Sequence, residues 1–176
     1  MKIAIYLAAN YGKDKTIIKE TEKLGAWIGI NKHTLVYGGS KTGLMLTLAK
    51  AVKENKGYII GVEAKIFFED NKGYDHCDEM YVEDSLLERK KRMMDIADCF
   101  IALPGGTGTL DEITEIMCLD KISNVHRPIF LLNINHFYDD LKNQLDKMVA
   151  YGYLSQSDRD LIKFPSDAEE VIKALK

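Results

Sequence analysis

Short apolar runs of strand length alternate along the chain with longer stretches in which apolar positions recur at helical spacing, the pattern of βαβ units. The runs predict strands at Ile3–Ala8, Thr34–Tyr37, Tyr58–Val62, Glu79–Val82, Cys99–Leu103 and Pro128–Leu132. Several are apolar on both faces, as expected for strands of a parallel sheet covered by helices. The periodic stretches predict helices over Lys13–Asn31, Gly43–Glu54, Leu86–Ala97, Thr109–Ile122 and Tyr138–Tyr151. Ser166-Asp167-Ala168-Glu169 has the spacing of a capping box that opens a short last helix. Together these elements predict an α/β fold, a doubly wound Rossmann-like parallel sheet with helices on both faces and its ligand at the carboxyl ends of the strands. One stretch breaks the pattern. From Glu63 to Asp78 polar residues and Gly73 mix with Phe67 and Phe68, which predicts a long functional loop forming one wall of a pocket.

The chain has 176 residues and shows no internal repeat or linker, so one domain over residues 1–176 is expected. Hydrophobic residues at 46% and charged residues at 29% exclude a disordered or disulfide-scaffold chain. The net charge is -3 and Lys and Arg are scattered, so neither nucleic acid nor an anionic membrane is expected as a partner. Cys77, Cys99 and Cys118 are odd in number and far apart, which suits a reducing cytoplasm. The apolar start is too short for a signal peptide, and no run approaches the ~20 apolar residues of a membrane span. A cytoplasmic protein is therefore expected.

Two glycine-rich turns follow strands and open helices. In Tyr37-Gly38-Gly39-Ser40-Lys41-Thr42-Gly43-Leu44-Met45, Gly38 and Gly43 have P-loop spacing, but Leu44 and Met45 stand where a Walker motif needs Lys and Ser or Thr. A Walker NTPase is excluded. The turn is either a phosphate cradle at a helix N-terminus or a tight strand-to-helix connection without a ligand. In Pro104-Gly105-Gly106-Thr107-Gly108-Thr109-Leu110-Asp111-Glu112, Asp111 occupies the third glycine position of a dinucleotide fingerprint, so a backbone grip on NAD(P) is unsupported. Three glycines and two hydroxyls at one helix start suit a single phosphate. Glu112 lies one turn further in. Thr109 and Glu112 also have capping-box spacing, and spacing alone leaves the capping and catalytic roles equally open.

In Ser85-Leu86-Leu87-Glu88-Arg89-Lys90-Lys91-Arg92-Met93, four consecutive cations stand beside apolar residues. Such runs are usually solvated faces, yet the i, i+3, i+4 relation of Arg89, Arg92 and Met93 lets one Arg enter a cleft while the others stay wet. Ser85 and Glu88 have capping-box spacing, which assigns Glu88 a structural role. The four histidines are isolated from one another, so no metal site is expected. Cys99 lies in an apolar strand, where a thiol is inert packing.

Tyr37-Gly38-Gly39 with Gly43-Leu44-Met45, Glu88-Arg89-Lys90 with Met93, and Pro104-Gly105-Gly106-Thr107-Gly108-Thr109 with Glu112 resemble the LONELY GUY family of cytokinin riboside 5'-monophosphate phosphoribohydrolases, long mislabelled as lysine decarboxylases. The similarity runs from Ile3 to about Tyr153. It implies a Rossmann-like homodimer, without metal or organic cofactor, that hydrolyses the N-glycosidic bond of a nucleoside 5'-monophosphate such as AMP or a cytokinin-type nucleotide. The resemblance places the 5'-phosphate on Gly105, Gly106, Thr107, Gly108 and Thr109, makes Arg89 and Glu112 the catalytic pair, and sets Lys90 beside the substrate. Gly38, Gly39 and Asn10 complete the implied binding set. The chain departs from the family's usual pattern at Ala8-Ala9-Asn10, Ser40, Leu46, Ala64 and Met117-Cys118-Leu119-Asp120, positions of which several line the base or ribose side in the family. The alternative is a non-catalytic nucleotide or molybdenum-cofactor carrier or sensor of the same superfamily. A decarboxylase would need a pyridoxal-binding lysine and usually a larger chain, and neither is evident.

Overall fold

A computed structural model describes residues 1–71, 75, 77–123 and 126–176. Seven parallel strands form one sheet in the order β4-β3-β2-β1-β5-β6-β7. They are β1 (Lys2–Tyr6), β2 (Thr34–Tyr37), β3 (Tyr58–Ala64), β4 (Glu79–Glu83), β5 (Cys99–Ala102), β6 (Ile129–Leu131) and β7 (Ile162–Lys163). The helices are α1 (Lys15–Ile30), α2 (Gly43–Glu54), α3 (Lys65–Asn71), α4 (Leu86–Ile96), α5 (Thr107–Ser123), α6 (Asp139–Ala150), α7 (Gln156–Leu161) and α8 (Ala168–Ala174).

Alternation along the central strands divides the core in two. Ile3, Ile5 and Leu7 point to one face with Leu24 and Ile28 of α1, Leu48 and Val52 of α2, and Val171 and Ile172 of α8. Ala4 and Tyr6 point to the other, with Met93 of α4, Ile113 and Ile116 of α5, and Leu145 of α6. The expected doubly wound Rossmann-like α/β sheet is therefore observed. The chain winds outward through β2, β3 and β4, then returns to the far side of β1 with β5. The strand order thus reverses between β1 and β5, and a crevice opens outside the carboxyl ends of these strands.

The differences from the expected elements are local. The segment predicted as a loop from Glu63 to Asp78 instead continues β3 through Ala64 and forms α3, while residues 72–74 and 76 of that expectation lie outside the described residues. The first strand stops at Tyr6, two residues before the predicted end. Helix α1 starts at Lys15, because Asp14 accepts the Thr16 N–H at 2.8 Å and caps it. Helix α5 starts at Thr107, two residues early, with the Leu110 N–H donating to the Gly106 carbonyl at 3.1 Å. Thr109 is consequently inside the helix and does not cap it. The last helix is capped by Asp167, which accepts the Glu170 N–H at 2.9 Å, while Glu170 Oε2 accepts from Ser166 N–H at 2.8 Å. That is the predicted box moved one residue along. Helix α7 and strand β7 were not anticipated.

One glycine ties the ends of β1 and β2 together. Gly43 opens α2 at φ +55°, and a Cβ there would lie 2.4 Å from the Ala9 carbonyl. The backbone of Ala9 and Asn10 therefore rests directly on the start of α2.

Candidate active site

The crevice at the sheet reversal is a cleft of about 750 Å³. Its sides come from the turns after β1 and β2, the end of β3, and the N-terminal turns of α4 and α5.

Helix α4 is set by Ser85, which accepts the Glu88 N–H at 3.2 Å and shares a 3.0 Å hydrogen bond with the Glu88 carboxylate. This cap, expected from sequence, turns Arg89 and Met93 inward. Lys91 pairs with Asp95 and Arg92 with Glu83 on the exposed side, so one cation of the four-residue run enters the site fully.

Arg89 is 7% exposed. Its Nε donates to the Val62 carbonyl at 3.0 Å and lies 3.5 Å from Glu63 Oε1, and its Nη1 donates to Glu112 Oε1 at 2.5 Å. A planar guanidinium suits this use, because its fork engages groups on β3 and α5 at once. Glu112 therefore does not fold back to cap Thr109. The deciding competitor is Arg89, since a charge-assisted bond inside the protein outweighs a cap that water could replace. Nη2 has no acceptor among the described residues and stands beside Gly38.

That placement explains Gly38. A Cβ on Gly38 would lie 2.5 Å from Arg89 Nη2, so any side chain there displaces the guanidinium. A Gly38→Ala variant is expected to keep its fold and, under the function proposed below, to lose about 10- to 100-fold in kcat/KM, the scale of loss for a group displaced by about 1 Å. Steady-state kinetics alongside circular dichroism checks it.

The electrostatics are acidic. Burial pushes the Glu63 carboxyl above the usual carboxylate range, while the Arg89 charge and a hydrogen bond from the Ala64 N–H oppose the rise. The Tyr6 hydroxyl is pushed far up, first by burial and then by the Glu112 charge, so it stays neutral. Two carboxylates thus share one buried guanidinium, leaving the trio with a formal charge of -1.

Above this trio lies the start of α5. Gly106 and Gly108 have open space where a Cβ would stand, whereas Gly105 is covered by the Thr109 side chain. The first helical N–H groups have no acceptors within the helix, and here they adjoin the cleft lined by Gly106, Thr107, Gly108 and Thr109. Lys90 also lines the cleft, but its Nζ lies 3.0 Å from both Asp111 and Glu115. Burial works to lower the ammonium pKa, and the hydrogen bonds from Glu115 and Asp111 outweigh it and hold it above the ordinary value.

Asn10 lines the opposite rim, where its Oδ1 accepts the Gly12 N–H at 3.0 Å. Ser40 and Thr42, also on the rim, share a 3.0 Å hydrogen bond. Gly39 does not line the cleft directly. At φ +74° it turns the chain away, and a Cβ there would lie 3.2 Å from Met80 Cε and 3.7 Å from Glu63 Cβ. Glu63 was not anticipated as a site residue; the signal was a carboxylate at the end of an otherwise apolar strand. Among the described residues no cluster of three or more metal-ligating side chains is present.

A doubly wound sheet whose reversal point carries an open glycine-rich helix start and a buried Arg–Glu pair defines a Rossmann-like protein with a cleft at the carboxyl ends of its strands. The chain belongs to the LONELY GUY family, whose description is "possible lysine decarboxylase" and which matches residues 45–175. It is 32% identical to a probable cytokinin riboside 5'-monophosphate phosphoribohydrolase of Oryza sativa subsp. japonica, over 99% of this chain and 77% of the relative. It is 30% identical to a cytokinin riboside 5'-monophosphate phosphoribohydrolase of Rhodococcoides fascians, over 99% of this chain and 88% of the relative. Among solved structures, the molybdenum cofactor carrier protein of Chlamydomonas reinhardtii has a TM-score of 0.74 at 20% identity, covering 99% of this chain and 94% of that one. The likeness to that carrier is one of fold.

Proposed function

We propose that this protein is a nucleoside 5'-monophosphate phosphoribohydrolase, which cleaves the N-glycosidic bond to give free base and ribose 5-phosphate. The observation that carries the reading is the buried Arg89–Glu112 pair one helical turn below the open start of α5. A site built only to hold an anion gains nothing from a carboxylate beside it. A glycosidase needs one.

The 5'-phosphate accepts hydrogen bonds from the first N–H groups of α5, where the helix dipole also favours negative charge, and from the Thr107 and Thr109 hydroxyls. The ribose then lies over Arg89 and Glu112. As the bond from C1' to the base nitrogen lengthens, its electron pair leaves with the base and positive charge grows on the ribose ring. The Glu112 carboxylate stabilises that charge and takes a proton from the attacking water, whose oxygen bonds to C1', while the departing base nitrogen takes up a proton from solvent and leaves as the neutral free base. Arg89 orients Glu112 and presents Nη2 to sugar or phosphate oxygens. Asn10, Gly38 and Lys90 border the bound nucleotide, with Gly39 supporting the turn.

A lysine decarboxylase is a poorer reading. Schiff-base chemistry needs a lysine whose amine is readily deprotonated, and Lys90, the lysine lining the cleft among the described residues, is held protonated by two carboxylates. AMP and cytokinin-type nucleotides are the proposed substrates, the latter in keeping with the names of the relatives. The reading extends to one domain over residues 1–176 acting in the cytoplasm. Among the described residues no helix is long and apolar enough to cross a membrane.

The test is chromatographic: purified protein incubated with AMP is expected to release adenine and ribose 5-phosphate in equal amounts. Saturable AMP binding with no adenine released would favour a carrier instead. Leu87 and Ile122, each more than 60% exposed on the α4 and α5 surfaces, fit a homodimer interface on these helices. Light scattering at micromolar concentration is expected to give the dimeric mass, and a monomeric mass would contradict it.

A further inference from the structure

Glu63 is 6% exposed, yet it lines the cleft. Its Oε1 accepts the Ala64 N–H at 3.0 Å and lies 3.5 Å from Arg89 Nε. Its Oε2 has no partner among the described residues, and it is not enclosed by them. A carboxylate oxygen at the bottom of a cleft, on a side chain more than nine-tenths buried, is an acceptor awaiting a donor.

The sheet order says which part of a ligand reaches it. The α5 start sits over the β1–β5 crevice, Arg89 and Gly38 lie above β2, and Glu63 ends β3. The distance from the crevice to β3 is between two and three strand spacings of about 4.8 Å, on the order of 12 Å, which is the length scale of an extended nucleotide. A ligand with phosphate on α5 and C1' at Glu112 therefore directs its base toward β3. Phe67 and Met45 supply apolar surface at that end of the cleft.

We propose that Glu63 selects the base, accepting a hydrogen bond from an exocyclic amine and excluding bases that carry an oxo group in its place. This rests on the phosphoribohydrolase reading and deepens it. An unsubstituted amine and an alkylated one both keep an N–H for Oε2. A carbonyl would set its lone pairs against the carboxylate and leave both unpaired, the arrangement that gives polar pockets their large discrimination.

The experiment compares AMP with inosine 5'-monophosphate, which carries an oxo group at C6 and a proton on N1 where AMP has the amine and a bare N1, on wild type and Glu63→Gln. Wild type is expected to favour AMP by about 100-fold or more in kcat/KM. The Gln amide can donate to an oxo group, so the preference in Glu63→Gln falls below about 10-fold. A preference that is unchanged in the variant, or a wild type that favours the oxo base, overturns the assignment.

Inhibition by ribose 5-phosphate, which has no base, separates selection from support of Arg89. It stays within about twofold in Glu63→Gln if Glu63 reads the base, and a parallel loss shows that the substitution merely released the guanidinium. Should wild type release base from no monophosphate, the hydrolase reading fails. Equilibrium binding of the same two nucleotides then decides the role of Glu63, with tighter AMP binding lost in Glu63→Gln expected and equal affinities overturning it.

Discussion

Glu112→Gln is expected to lower kcat for base release by about 10³-fold while AMP binding is retained, because general-base and electrostatic stabilisation each contribute about 10²- to 10⁴-fold. The amide keeps an oxygen for the Arg89 Nη1 hydrogen bond, so the guanidinium stays in place. What disappears is the negative charge beside the ribose and the capacity to take a proton from water. The substitution also removes one of the two carboxylates around Arg89, so the protein is expected to remain folded. A rise in KM with kcat unchanged would show that Glu112 only binds, and full activity would remove it from the chemistry.

The second large effect falls on stability as well as activity. Arg89→Met keeps an apolar stem but leaves Glu63 and Glu112, both at most 9% exposed, without their shared cation. Breaking a buried ion pair in this way costs about 3–5 kcal/mol, or roughly 10–15 °C in Tm for a chain of this size. The loss should depend on pH. Burial already raises the Glu63 carboxyl pKa, and Arg89 is the charge that holds it down. Without Arg89 the folded protein binds a proton more tightly than the unfolded chain, so stability rises as pH falls toward 5 and the deficit is greatest at neutral pH. Thermal unfolding of wild type and variant between pH 5 and 8 measures this. A deficit independent of pH would mean that Arg89 contributes packing rather than charge compensation. Activity is expected to fall by at least about 10²-fold at every pH.

The doubly wound sheet was legible because its central strands are buried on both faces and read as unbroken apolar runs. Strand β7, two residues long, and α7, six residues long, are too short for any period to register. Helix α3 was hidden because its segment mixes aromatic and acidic side chains and carries neither a helical stripe nor a capping signal. The motifs located Arg89 and the glycine-rich start of α5, but the capping-box spacing of Thr109 and Glu112 could not be separated from catalytic use. That decision depends on Arg89, 23 positions away in sequence, which the fold brings against α5. The same long-range assembly hid Glu63, whose neighbours come from α4 and the turn after β2. Lys90 was placed beside the substrate by resemblance, and local sequence did not show that Asp111 and Glu115 hold its amine.

The most direct test is the ratio of kcat/KM for AMP to that for adenosine, followed as adenine release by wild type. Binding energy from a remote phosphate acts through the reacting centre, so the start of α5 should favour AMP by about 10³-fold or more, on the scale set by orientation of a bound substrate. Equal rates for AMP and adenosine, or release from adenosine alone, would contradict a phosphate-reading cleft.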